Sequence, residues 1–194
     1  MKKYLLIVFI LFFCSTGFYF LKPVTKINIQ PLGDVSPKYI NLVKKSVKKF
    51  YGYDCVVLPK KVITKSMLSQ KKLRIDANKA LLGNLSFDNL LIITEKDICH
   101  YKNENNPEWG IFGLGLRPGK TCIISTFRLR KNANTQKILD RLEKVALHEI
   151  GHNLGLDHCV NNKVCMMNDA NGTIKQVDKE KVGLCDKCLK KIND

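Results

Sequence analysis

The stretch HEIGHNLGLDHC, running from His148 to Cys159, holds three of the four histidines in the chain and ends on a cysteine. It constrains the fold more tightly than any other segment, because its side chains can converge only if a helix carries the first half and stops within the second. On an α-helix, His148 and His152 lie about 40° apart around the axis and about 6 Å along it, so both imidazoles reach one ion. Were the helix to continue, His158 would lie about 15 Å further along than His148 and could not share that ion. Gly155 removes the objection. Glycine adopts the left-handed conformation that ends a helix, and the chain then turns back so that a histidine three residues later meets the same ion.

Three neutral nitrogens with one open position form the ligand set of a catalytic zinc, whereas structural zinc is closed by four protein ligands. Glu149 sits beside the first ligand and points to the neighbouring sector, where a carboxylate can take a proton from a metal-activated water. The bare HExxH arises by accident in unrelated chains, but the extension to HExxHxxGxxH adds a glycine with a geometric purpose and a third ligand at a useful distance.

Upstream of this segment, strand and helix patterns alternate. INIQPLG reads as a short strand ending in a turn. Ser36 and Pro37 give an N-cap and a proline at the first helical position, with Ile40, Val43, Val47 and Phe50 on one face and Gly52 just past the end. DCVVLP reads as a second strand, Thr64 to Leu85 as a lysine-rich amphipathic helix, and NLLIIT (Asn89 to Thr94) as a buried strand. WGIFGLGL and TCIISTF flank RPGK, where Pro118 and Gly119 suit the central positions of a type II turn, so a hairpin is expected at the sheet edge. From Asn134 the helical period returns, with Ile138, Leu142, Val145 and Leu147 or Ile150 inward. The expected class is α/β: a mostly parallel twisted sheet, an antiparallel edge hairpin, an active-site helix and a small irregular C-terminal subdomain.

The first 26 residues stand apart. After MKK, the uncharged apolar run from Tyr4 to Leu21 is long enough to span a bilayer. Lys2 and Lys3 with the small-residue STG segment also fit a cleavable export signal, and Cys14 offers a site for lipid attachment. The expectation is an exported protein, membrane-anchored or lipid-anchored, with its remaining domain outside the cytoplasm; the alternative is secretion. A net charge of +16 arises from 33 basic and 17 acidic residues, and only five of the basic ones are arginine. Lysine is a diffuse point charge and does not read bases bidentately, so the surface is read as solvated and drawn to anionic membranes, with no nucleic-acid partner. A monomer is expected.

The chain from Val160 onward has too few apolar residues for a core of its own, yet it is rich in cysteine. A staple is needed there, and Cys159, Cys165, Cys185 and Cys188 can supply it as disulfides or as a thiolate zinc site. Cys55, Cys99 and Cys122 read as buried thiols, and His100 as a surface or satisfied histidine outside any site.

With these residues in view, the segment from His148 to Cys188 resembles the archaemetzincin family of metzincin-type zinc peptidases, and a looser likeness extends over residues 27–194. That family joins the three-histidine motif directly to a cysteine, places a second cysteine two residues before a turn methionine, and follows with a CxxC pair. Here these are Cys159, Cys165 with Met167, and Cys185 with Cys188. Five residues separate Cys159 from Cys165, one more than is usual in the family. The resemblance implies a metzincin-like catalytic domain over 27–194, divided into 27–155 and a Cys-rich subdomain 156–194. It implies two zinc ions, one catalytic on His148, His152 and His158 and one structural on the four cysteines, with Met167 as the turn methionine. It further implies peptide or protein substrates, hydrolysed by Glu149-assisted attack of a zinc-held water. The edge around Gly113, Leu114, Gly115 and Leu116 is where an extended peptide would add as a strand. The contrasting expectation is a non-catalytic, zinc-stabilised protein-binding module.

Overall fold

The computed structural model describes residues 26–84 and 88–193. The apolar N-terminal segment lies outside these residues; among those described, no helix is long and apolar enough to cross a membrane. In chain order the elements are β1 (Lys26–Leu32), α1 (Pro37–Tyr51), β2 (Asp54–Val57), β3 (Ile75–Asp76), α2 (Ala77–Leu82), β4 (Leu90–Thr94), β5 (Ile98–His100), β6 (Trp109–Ile111), β7 (Gly113–Gly115), β8 (Thr121–Ser125), α3 (Thr135–Asn153), α4 (Ile174–Lys179) and α5 (Asp186–Asn193). Strands β2, β1, β4 and β8 run parallel in that spatial order, and β7 closes the edge antiparallel to β8.

The central strands are buried on both faces, which explains their unbroken apolar runs. Alternate residues serve two cores. Ile29, Leu91, Ile93, Cys122 and Ile124 pack against Val43 and Val47 of α1 and Leu142, Ala146, Leu147 and Ile150 of α3. Leu90, Ile92 and Ile123 face the opposite way, onto Ala77, Ala80 and Leu81 of α2 and onto Ile98. Helix α1 starts on Pro37 and stops at Gly52, whose φ of 75° gives the left-handed cap expected from its position.

Three local expectations are corrected. Thr64–Leu85 is not one helix: it holds a 3₁₀ turn at Lys65–Met67, the short β3, and only then α2, because the Asp76 side chain accepts from the Lys79 N–H and starts a helix there. WGIFGLGL is two strands. Strand β6 pairs with β5 in a separate three-stranded sheet (β3-β5-β6), and only β7 pairs with β8, since Phe112 between them is buried in the main core while Ile111 packs on the other. The RPGK turn is not type II, because the Arg117–Pro118 peptide is cis and Gly119 lacks the positive φ that type II demands. Its glycine is instead tied to the end of α3, the Gly119 N–H donating to the Asn153 carbonyl (3.1 Å).

Candidate active site

Helix α3 begins on Asn134, whose side chain accepts from the Lys137 N–H (2.9 Å), and buries Leu142, Val145, Ala146 and Ile150 against the sheet. That packing fixes the rotation of the helix and turns His148, Glu149 and His152 toward the β7 edge. Its end has the geometry that the sequence spacing demands: Gly155 has φ +92°, its N–H donates to the His152 carbonyl (2.9 Å), and the Leu156 N–H donates to that of Gly151 (3.0 Å). This paired arrangement is a Schellman cap. The chain then reverses and carries His158 back beside the other two.

The three imidazoles each offer a nitrogen within 4.8 Å of the others. Nδ1 of His148 meets the Met166 carbonyl at 2.6 Å, and Nδ1 of His152 meets the Leu156 carbonyl at 2.8 Å. A carbonyl can only accept, so both Nδ1 atoms carry the proton and both Nε2 lone pairs are free for a metal. His158 Nδ1 faces Asp169, 3.8 Å away. Burial holds His148 down to a pKa of about 3 and also lowers that of His152, so both are neutral, as ligation requires. Donor type, tautomer and convergence together fit zinc.

Glu149 is buried between α3 and β7, and burial pushes its carboxyl up to about 8, against the opposing effect of a hydrogen bond from the Gly115 backbone. Glycines make the approach possible. A Cβ on Gly113 would lie 2.5 Å from Glu149 Oε1, and one on Gly115 would lie 2.7 Å from the Glu149 carbonyl oxygen and 3.0 Å from His152 Cβ. Gly113, Leu114 and Gly115 line the cleft over the histidines, while the Leu116 side chain packs on the second core.

Met167 is fully buried, its carbonyl accepting from the Cys159 N–H (2.7 Å). A Cβ on Gly151 would stand 2.6 Å from its sulfur, so the methionine seats against the active-site helix directly below the histidines. On its other side, the four cysteines come together with Leu156. The sulfurs of Cys159 and Cys185 are 3.6 Å apart and those of Cys165 and Cys188 are 4.0 Å apart. Four thiolates about 2.3 Å from one zinc stand about 3.8 Å from one another, whereas disulfide sulfurs are about 2.05 Å apart. The cluster therefore fits a closed tetrahedral metal site. Burial pushes the Cys165 and Cys188 thiols up, while hydrogen bonds, first from the Cys188 backbone, bring Cys185 down to about 7, so a cation is needed before the buried members join it as thiolates. Cys99 and Cys122 are buried and Cys55 is half-buried, all distant in sequence from the cluster.

The cleft has a volume of about 470 Å³. Several of its residues carry no signal in the sequence. Arg117 and Trp109 line it, as do Val145, Val177 and Glu180, and so does His100, read from sequence as lying outside any site. Val177 and Glu180 are brought there by α4, which Arg141 anchors: this 2%-exposed guanidinium grips both Asp178 oxygens (2.7 and 2.8 Å) and donates to the Leu129 and Lys131 carbonyls. Their convergence depends on tertiary packing, which no spacing rule reveals.

The family model of peptidase family M54 matches residues 85–194. A curated archaemetzincin of Methanocaldococcus jannaschii is 34% identical over 177 residues, covering 88% of this chain and 94% of the relative. One from Halobacterium salinarum is 28% identical over 178 residues, covering 86% and 99%. Among solved structures, an archaemetzincin from Archaeoglobus fulgidus complexed with malonate is 30% identical with a TM-score of 0.75, covering 86% of this chain and 99% of its own. Another, from Methanopyrus kandleri, is 23% identical with a TM-score of 0.71 over 87% and 93%, and so shares the fold.

Proposed function

Given that this chain belongs to peptidase family M54, the archaemetzincins, and so to the zinc metallopeptidases, we propose that it hydrolyses peptide bonds with Glu149 as the general base and acid. The observation that carries this reading is the buried Glu149 carboxyl wedged against Gly113 and Gly115, on the same helix as His148 and His152 and open to the same cleft. When bound by His148, His152 and His158, zinc polarises the scissile carbonyl and lowers the pKa of a water. The residues of the chain then do the rest. An extended peptide adds along the free edge of β7, where two glycines keep the backbone of the strand accessible close to Glu149. Glu149 accepts the proton of the attacking water and returns it to the leaving amine. Burial raises that carboxyl above the ordinary carboxylate range, so a proton it accepts is held there until it passes to the leaving amine.

The second ion, on Cys159, Cys165, Cys185 and Cys188, is assigned a structural role. Its supports are the tetrahedral spacing of the sulfurs and the hydrogen bond that links Cys159 to Met167. One experiment tests the whole reading: zinc content and peptide cleavage of the parent and of Glu149→Gln. Two zinc ions per chain are expected in both proteins, with cleavage in the variant reduced by about 10²–10⁴-fold. A variant that cleaves as fast as the parent removes Glu149 from its role. A zinc-loaded parent that cleaves no peptide would favour the binding-module alternative.

A further inference from the structure

We propose that Glu180 is a specificity-determining residue, which makes the cleft select a substrate with a lysine or arginine side chain next to the scissile bond. The inference rests on the peptidase reading above.

Glu180 directly follows α4 and lines the same cleft as His148 and Glu149, yet it is only 6% exposed. A buried carboxylate ordinarily has a cation beside it. Among the described residues, no lysine, arginine or histidine comes within ion-pair distance of this one. Its side-chain partner is the Gln176 amide, at a long 3.3 Å. Lys144 approaches from α3 and its charge favours the ionised acid from a distance, but its ammonium donates to the Val177 carbonyl at 2.9 Å and forms no ion pair with Glu180. Burial accordingly lifts the Glu180 carboxyl to about 7, as expected for an acid whose charge is poorly compensated.

The surroundings match a long cationic side chain. Val145, Val177 and Phe112, all buried, give apolar wall to the cleft that Glu180 also lines. Methylene groups can lie on such a wall while the charged head reaches the acid, which is how lysine and arginine side chains divide their surface. Val145 lies one helical turn before His148, and Val145, Glu180 and the three histidines all line the one cleft. A neutral side chain would fill the apolar part and leave the acid unpaired. An acidic one would be repelled. Selection thus comes from an attraction and a penalty together.

The test uses zinc-loaded full-length protein and three peptide hydroxamates, alike except for a lysine, norleucine or glutamate side chain beside the hydroxamate, titrated calorimetrically. The parent should bind the lysine compound at least about tenfold tighter than the norleucine compound, and the glutamate compound weakest. Glu180→Asp should keep the lysine preference, and Glu180→Gln should abolish it, with unchanged zinc content. A parent that binds lysine and norleucine compounds equally overturns the proposal, whether or not the variants fold. So does a folded Glu180→Gln that retains the preference. Cleavage of matching peptides, measured alongside, separates the two readings. Lysine-selective binding without cleavage would sink the peptidase assignment and leave this one standing; cleavage without selectivity would do the reverse.

Discussion

The chain up to Asn153 and the chain after Leu156 are held together by different physics. The first part has strands buried on both faces, Leu90 to Ile93 and Cys122 to Ile124 feeding two cores at once. The second has two short helices, and around its sulfurs it gathers little more than Leu156, Met167, Leu184 and Ile192. Helices of six and eight residues do not stand alone in water. The first part is thus stabilised by its own apolar area, and the second by docking Met166 and Val177 onto the main core and, on the reading proposed above, by a metal on its four cysteines. The three histidines of the candidate zinc site straddle the seam, with His148 and His152 on the well-packed side and His158 on the other.

The largest effect should come from breaking the second part at its sulfurs. Replacing Cys185 and Cys188 by serine removes two of the four thiolates. Structural zinc in small domains contributes about 10–16 kcal/mol of binding free energy that is also folding free energy. The double variant should lose one zinc outright, become protease-sensitive beyond Asn153, and keep the circular dichroism of the sheet. Affinity at the histidine site should also fall, because Met166 orients His148 and Met167 holds Cys159 beside His158. A tail that stays protease-resistant without its metal would show that apolar contact suffices there, and the contrast between the two parts would collapse.

A smaller effect is expected where the two parts are joined by charge. Asp178→Ala leaves the Arg141 guanidinium buried without its carboxylate, which typically costs about 3–5 kcal/mol. The hydrogen bond from Arg141 holds the Asp178 carboxyl below the ordinary carboxylate range. Its folded pKa is depressed, so the stabilisation is full above the unfolded value of about 3.9 and is lost as pH falls through the folded value. Thermal melts should therefore show parent and variant converging in acid and diverging above about pH 4. Parallel melting curves across that range would mean that the pair contributes nothing titratable.

The contrast also explains what could be read in advance. The histidine helix and its stop were legible because each requirement is local: a four-residue spacing, then a glycine with positive φ. The buried strands were legible because Leu90 to Thr94 and Thr121 to Ser125 show their burial as unbroken apolar runs. Thr64–Leu85 misled, because a helical period in lysine and leucine says nothing of the Asp76 cap that delays the helix. The RPGK turn misled for a related reason, since Pro-Gly chemistry does not reveal that Asn153 is waiting for the Gly119 N–H. Asp178 and Arg141 gave no signal at all, because their meaning is a tertiary pairing between residues 37 positions apart, and Glu180 gave none because its burial comes only with the docking of α4.

The smallest effect should arise at the hinge itself. Gly155 has φ +92°, and a Cβ there would meet nothing within 4 Å. Substituting alanine therefore introduces no clash, only the backbone cost of holding a residue with a Cβ in the left-handed region, about 1–2 kcal/mol. For a chain of this size that predicts a melting temperature lower by about 2–8 °C. Gly155→Asn should lose less, since asparagine visits this region more readily. Both variants should keep their zinc content, because the Schellman bonds from Gly155 and Leu156 involve only backbone atoms. If alanine instead empties the histidine site while asparagine fills it, the conformation of this one residue, and not the packing on either side, holds His158 in place. An alanine variant as stable as the parent would mean the reverse: the turn is dictated by the Leu156 carbonyl on His152 and by the sulfur cluster beyond, and the glycine merely permits it.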